Sequence, residues 1–290
     1  MTALPLVRTF TDAEGIEITF YEWPVAEPRA VVQIAHGLGE HAMRYNHVAA
    51  VLNRAGFSVY ADDHRGHGQT GKHMIERAEI KRMGNLGKGG MSATVNQVYQ
   101  LSKLIKTELP TLELYLLGHS WGSMLAQKIL NQNSDSYAGA LLSGSTLMLP
   151  GVAPTSGFNK KWDKTPNKST KEWLSRDESV GRAFMADPLC FGETAIEVFG
   201  ITNVAGLVSL PSKKIASDFP ILLIAGSEDP LGAERGNMML AKAFARAGVQ
   251  DVTMIIYPEA RHEVFNELNK QEAFADVVAW LETSVSKANS

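Results

Sequence analysis

The chain has 290 residues, of which 44% are hydrophobic and 20% charged, enough apolar material for a large core. A net charge of −3 excludes the strong basic field of a nucleic-acid or membrane-surface binder. A single cysteine, Cys190, excludes an intrachain disulfide and a cysteine metal cluster.

Met1 to Glu14 contains Arg8 and no apolar h-region, so no secretory signal is expected. No apolar run approaches the ~20 residues of a membrane helix. The expected compartment is the reducing cytoplasm.

Val7 to Phe10 and Ile16 to Trp23 flank Thr11-Asp12-Ala13-Glu14-Gly15 and read as an antiparallel hairpin. Ala30 to Ala35 is a continuous apolar strand that ends at His36-Gly37. Tyr45, Val48, Ala49, Leu52 and Ala55 recur at helical spacing, closed by Gly56. Phe57 to Ala61 is the next strand. Asp62 to Gly90 is polar and glycine-rich and is expected to be mostly loop. Met91, Val95, Val98, Leu101 and Ile105 mark a helix that stops before Pro110.

A strand from Leu112 to Leu117 then runs into Gly118-His119-Ser120-Trp121-Gly122, followed by a helical pattern from Ser123 to Leu130. Strand, sharp turn, helix is the context in which G-x-S-x-G means a nucleophile elbow. Ser120 needs a turn too tight for side chains two positions either side, which Gly118 and Gly122 permit. Its place at a helix N-terminus favours developing negative charge.

Ala138 to Ser143 is a further strand. Up to this point, alternating strands and helices predict a parallel sheet covered on both faces. From Ser145 to Ser217 the alternation breaks, with Pro150, Pro154 and Pro166 near its start and helical pieces at Lys171 to Ala186 and Thr194 to Leu210. Phe158, Trp162, Trp173, Phe184, Phe191 and Phe199 make this segment too apolar for a disordered linker, so it reads as an inserted unit. Pro220 to Ala225 and Val252 to Tyr257 resume the strands, Glu234 to Ala247 and Ala273 to Val285 the helices.

A serine nucleophile needs a base within reach and an acid to orient that base. With the chain order serine, acid, histidine, the acid must follow Ser120 at the end of a strand. Asp229 qualifies, with Glu228 beside it as the competing acid; Asp218 precedes its strand. Of eight histidines only His262 follows Asp229, and it is the expected base. The tetrahedral intermediate needs two N–H donors. The backbone of Trp121 and that of Leu38, in His36-Gly37-Leu38-Gly39, are the candidates. This chemistry requires no cofactor and no metal.

His36-Gly37-Leu38-Gly39-Glu40-His41, Asp63-His64-Arg65-Gly66-His67-Gly68, Gly118-His119-Ser120-Trp121-Gly122, Gly226-x-x-Asp229 and His262 resemble, in order, the monoacylglycerol lipase and lysophospholipase branch of the α/β-hydrolase superfamily, which includes serine aminopeptidase-like hydrolases. So do Glu172-Trp173-Leu174-Ser175-Arg176-Asp177 and Asp187-Pro188-Leu189. The resemblance spans nearly the whole chain. It implies an α/β-hydrolase fold: an eight-stranded, mostly parallel sheet with helices on both faces and a helical cap inserted after the sixth strand. The core would be residues 1–144 and 218–290, the cap 145–217. It implies a Ser120, Asp229, His262 triad, an oxyanion hole from Leu38 and Trp121, and a small-molecule, lipid-derived acyl ester as substrate. Gly37, Phe158, Trp162, Phe184 and Phe199 are the expected pocket residues. One departure is Trp121, where this branch commonly has Met; its ring is expected to narrow the acyl pocket.

Competing readings keep the site but change the bond (thioesterase, amidase or peptidase, acyltransferase), or keep the fold without catalysis, as a binding protein. Gly66 to Lys72 nearly matches a phosphate-binding loop, but His73 stands where a hydroxyl is needed. The six histidines from His36 to His73 lack metal-ligand spacing and are expected to order two loops beside the site. His119 is expected to pack rather than act, Cys190 to be a small buried apolar residue, and the lysines from Lys160 to Lys171 to form a solvated cap face rather than a phosphate site, though a lysophospholipid head group would suit them.

Overall fold

A computed structural model describes residues 4–149, 156–164 and 169–288. Pro150, Pro154 and Pro166 lie outside the described residues.

The strands are β1 (Leu6–Thr11), β2 (Glu17–Trp23), β3 (Ala30–Ala35), β4 (Phe57–Asp62), β5 (Leu114–His119), β6 (Gly139–Ser143), β7 (Ile221–Gly226) and β8 (Val252–Tyr257). They form one eight-stranded sheet in the order β1-β2-β4-β3-β5-β6-β7-β8. The first two pairings, β1 with β2 and β2 with β4, are antiparallel, and the rest are parallel. Every residue of β3 to β7 is buried, as parallel strands covered on both faces must be.

The helices are α1 (Asn46–Arg54), α2 (Gly68–Glu76), α3 (Gly90–Glu108), α4 (Trp121–Asn133), α5 (Glu178–Ala186), α6 (Ala195–Ala205), α7 (Ala233–Ala247) and α8 (Lys270–Ala288). Along β5, side chains alternate between two cores. Leu114 and Leu116 pack with α3, α4 and α7, whereas Tyr115 and Leu117 pack with α1 and α8. This is the α/β-hydrolase fold that the resemblance implied, with the parallel, doubly covered sheet that the alternating pattern predicted. Among the described residues, no helix is long and apolar enough to cross a membrane.

The winding explains where a ligand binds. From β3 the chain moves to β4 on one side, and later to β5 on the other. The crevice at the carboxyl ends of β3 and β5 is therefore the topological switch point, the usual ligand site of an open α/β sheet.

Between β6 and β7 the described residues form α5, α6 and short helical turns. Helix α5 starts at Asp177, whose carboxylate accepts from the Ser179 N–H. Helix α6 starts with a capping box between Thr194 and Glu197 and is kinked at Gly200, where φ is +74°.

The 62–90 stretch is mostly loop, as expected, but it also holds the nine-residue α2. Within α2, Gly71 marks close packing rather than a turn: a Cβ there would lie 2.5 Å from the Gly66 carbonyl carbon. Thr70 faces inward and accepts from the Thr19 N–H at 2.9 Å. Gly71→Ala should therefore lower stability by about 1–3 kcal/mol, even though alanine is the better helix former. A fall in the urea midpoint at unchanged m would show it; an unchanged or higher midpoint would contradict the packing argument.

Candidate active site

Three loops converge at the switch point: those after β3, β5 and β8, with the β7 loop behind them. Ser120 follows β5 with φ +52° and ψ −121°, a strained conformation for a non-glycine residue. Backbone crowding explains the flanking glycines. A Cβ at Gly122 would lie 2.1 Å from the Ala35 carbonyl oxygen, and one at Gly118 would lie 2.6 Å from that of Gly122. Ser120 is half-buried and borders a cavity of about 560 Å³.

His262 and Asp229, both nearly fully buried, come from the loops after β8 and β7. His262 Nδ1 donates to Asp229 Oδ1 at 2.9 Å, and the same oxygen accepts from the Leu231 N–H at 2.8 Å. This fixes the tautomer: Nδ1 carries the proton, and Nε2 keeps its lone pair. Nε2 is buried without a hydrogen-bond partner, and Ser120 and His262 border the same cavity. Burial opposes a charge on His262, but the Asp229 carboxylate outweighs it, so the pKa is raised above 6.5. Glu228 turns the other way and pairs with Lys161.

Gly37 and Leu38 border the cavity, and Gly37 passes close to the serine: a Cβ there would lie 3.2 Å from Ser120 Cβ. The Gly37 N–H is already taken by Glu40 Oε1 at 2.6 Å. The N–H of Trp121 belongs to the first turn of α4, which has no carbonyl one turn back to bind.

Glu40 also accepts from the Tyr45 hydroxyl at 2.7 Å and from Arg44. Arg44 turns its other edge to Glu263, with two bonds of 2.8 Å. Burial would raise the pKa of Glu263, but Arg44 more than reverses this and holds it at about 2. This buried cluster joins the β3 loop to the residue after His262. None of its members was given a role at the site from the sequence, although Glu40 lies inside a motif that carried the resemblance.

Three expected histidines order the neighbouring loops. His36 donates from Nδ1 to the Gly37 carbonyl at 2.7 Å and accepts the His64 N–H on Nε2 at 3.0 Å. Its ring stacks on His64 at 3.9 Å, and His67 packs against Trp121 at 4.9 Å. His119 is buried, borders the cavity and lies 4.8 Å from the His262 ring.

The pocket differs in part from expectation. Phe158 and Phe184 border the cavity, as do Trp121, Met124, Met148 and Leu207. Trp162 and Phe199 do not. Trp162 is turned outward beneath the Arg261 guanidinium, 4.6 Å from its ring centre. Phe199 lies behind Trp121, ring to ring at 4.8 Å. Trp121 is only 3% exposed, with its ring laid back against Phe199 and His67. Trp173, not placed at the site from the sequence, covers His262 at 4.8 Å. Lys171 also departs from expectation: Lys160, Lys161 and Lys164 are exposed, but Lys171 is half-buried on the cavity wall. Cys190 is half-buried, and burial pushes its thiol up to about 12.

The family described as serine aminopeptidase, S33, matches residues 26–269. The chain belongs to this family. Its members' fold and the relatives below make it a hydrolase. A monoacylglycerol lipase of Mycolicibacterium smegmatis is 30% identical over 94% of this chain and 96% of its own. The human monoglyceride lipase is 28% identical over 96% of this chain and 91% of its own. A solved carboxyl esterase from Bacillus coagulans superposes with a TM-score of 0.82 at 24% identity, covering 98% of this chain and all of the other, a likeness of fold.

Acid should destabilise this family member through its buried histidines. Burial lowers the pKa of His36 well below 6.5, that of His67 to about 3 and that of His119 to about 4. Depressed folded-state values mean that the unfolded chain takes up protons first. The stabilisation is complete above about 6.5 and is lost as pH falls toward 3. Each histidine contributes up to about 1.36 kcal/mol per pH unit in that window. His262 and Asp63, whose pKa values are raised, act in the opposite sense. Urea midpoints measured from pH 7 to 4 should fall steadily; a flat profile would contradict neutral burial of the three.

Proposed function

We propose that the chain is a serine carboxylic-ester hydrolase acting on monoacylglycerol-like or lysophospholipid-like acyl esters through an acyl-enzyme on Ser120. The observation that carries this reading is His262, hydrogen-bonded to Asp229, on the wall of the cavity that Ser120 enters from a strained turn. In this mechanism Ser120 Oγ attacks the acyl carbon as His262 Nε2 takes its proton. The N–H groups of Leu38 and Trp121 receive the oxyanion. His262 then protonates the departing alcohol, and a water molecule repeats the sequence to release the acid. The raised pKa of His262 suits a base that must also become a cation.

The names of the two relatives support a monoacylglycerol as the ester. So does the wall of the cavity, where Met124, Met148, Phe158 and Leu207 offer an acyl chain an apolar surface. Each methylene buried there contributes about 0.8 kcal/mol. We read residues 145–217 as a cap over the core of 1–144 and 218–290. In support, Phe158, Lys171, Trp173 and Phe184 of that segment border the same cavity as Ser120.

Ser120→Ala should abolish both hydrolysis of monododecanoylglycerol and labelling by a fluorophosphonate, with the urea midpoint preserved. Residual turnover near wild type would end the acyl-enzyme reading.

Asp229→Asn should lower kcat by about 10⁴, the order found when a triad loses its orienting carboxylate. Glu228→Gln, which removes only a surface pair with Lys161, should change kcat less than about threefold. A reversal of that ranking in steady-state assays would reassign the acid.

A further inference from the structure

Among the described residues, Lys171 is the one lysine of its run drawn into the protein, and the surrounding chain makes room for it. A Cβ at Gly192 would lie 2.7 Å from Lys171 Nζ, and one at Gly181 would lie 3.3 Å from its Cβ. The ammonium donates to the Gly192 carbonyl at 3.2 Å and lies 5.3 Å from the centre of the Phe184 ring. Among the described residues no carboxylate comes within 4.0 Å of it. Of its three donors, one is used by Gly192 and the others are available to the cavity it borders.

Other charges around this space are accounted for. Arg44 approaches the same Phe184 ring, at 5.0 Å, but is neutralised by Glu40 and Glu263. Lys160, Asp163 and Glu193 border the cavity as exposed residues. Among the described residues, Lys171 alone combines partial burial, a place on the cavity wall and no carboxylate partner. Its pKa is lowered by burial, against the pull of Glu193, as for a cation short of counter-charge.

The direction of proton transfer says which half of a substrate meets it. The alcohol oxygen must face His262 to receive the proton, so the leaving group lies on the His262 side of the cavity. Trp173 covers the His262 ring, and Lys171 is two residues earlier, immediately before the single-turn helix Glu172–Leu174. The apolar residues Met124, Met148 and Leu207 remain for the acyl chain.

We propose that Lys171 is a specificity-determining residue that binds an anionic group, such as a phosphate monoester, on the alcohol half of the acyl ester. This deepens the reading of Ser120 as an ester-cleaving nucleophile and rests on it. The chemistry is a charge-assisted hydrogen bond in a half-desolvated setting, which is stronger than one to the neutral hydroxyls of glycerol.

The test compares monododecanoylglycerol with its phosphate monoester, and with the p-nitrophenyl hemiester of a dicarboxylic acid, which carries its anion on the acyl half. The readout is the ratio of kcat/KM for each anionic ester to that for its neutral counterpart. Wild type should hydrolyse the phosphate ester. Lys171→Met and Lys171→Gln should lower its ratio by about tenfold or more, the loss of one hydrogen bond to a charged group. Lys171→Arg should restore most of it, and raised salt should lower it in wild type. The acyl-side ratio should be the same in all variants. An unmoved phosphate ratio in both neutral variants would overturn the proposal, as would a wild type inert toward the phosphate ester, or a larger effect on the acyl-side anion. If both neutral variants fail to fold, the salt dependence and the Lys171→Arg ratio still decide. Failure of the underlying reading is separate: hydrolysis of all three esters would then survive Ser120→Ala.

Discussion

One buried guanidinium holds the candidate site together. Arg44 lies between Glu40, in the loop after β3, and Glu263, next to the base after β8. These loops stand at the ends of strands that are not neighbours in the sheet. Taking such charges out of water is costly, and the arrangement is stable only with every group partnered. Arg44 spans both acids, Tyr45 and the Gly37 N–H complete Glu40, and Asn266 completes Glu263. Removing one partner from a buried pair typically costs about 3–5 kcal/mol because the survivor is left unpaired. The cluster also acts on the base at a distance. Glu263 and Glu40 both add to the pull of Asp229 that raises the pKa of His262.

Strain and packing complete the arrangement. The positive φ of Ser120 persists because Gly118 and Gly122 bring its turn hard against neighbouring backbone, including β3. Gly144 plays a similar part for the base: a Cβ there would lie 3.0 Å from His262 Nδ1. Small residues thus let backbone segments approach, and the charged cluster fixes the distance at which they stop.

What could be read from the sequence was local or serial. Strand boundaries followed from apolar runs bounded by glycine and proline, and β3 and β8 match their expected limits. The elbow was legible because strand, turn and helix are contiguous. His262 was legible by position, as the one histidine after Asp229. What escaped depends on contacts between distant residues. Arg44 and Glu263 are 219 positions apart, and no periodicity reports their meeting. Helix α2 was hidden because its glycines, which read as turn signals, serve close packing, Gly68 against Asp63 and Gly71 against Gly66. Trp162 and Phe199 were placed in the pocket on size alone, and size does not say which way a ring turns. Trp162 lies under Arg261, and Phe199 supports Trp121 from behind.

The described residues of the 156–217 segment are fastened to the loops beneath them largely through main-chain carbonyls. The Glu263 N–H donates to the Leu174 carbonyl, the His262 N–H to that of Trp173, and the Phe191 N–H to that of Gly39. Arg261 reaches the Ser175 carbonyl, and Arg176 pairs with Glu267. Main-chain fasteners ask little of side-chain identity at the carbonyls they use, whereas the wall between them is shaped by side chains such as Phe158, Lys171 and Phe184. Inheritance can therefore treat the two separately. Substitutions that reshape the wall leave the attachment points in register, so one hydrolytic apparatus can be refitted to new esters by drift in a few positions. A wholesale graft of the segment from a relative has a stricter requirement: the backbone at Trp173, Leu174 and Phe191 must arrive in register, or the imidazole it covers loses its alignment.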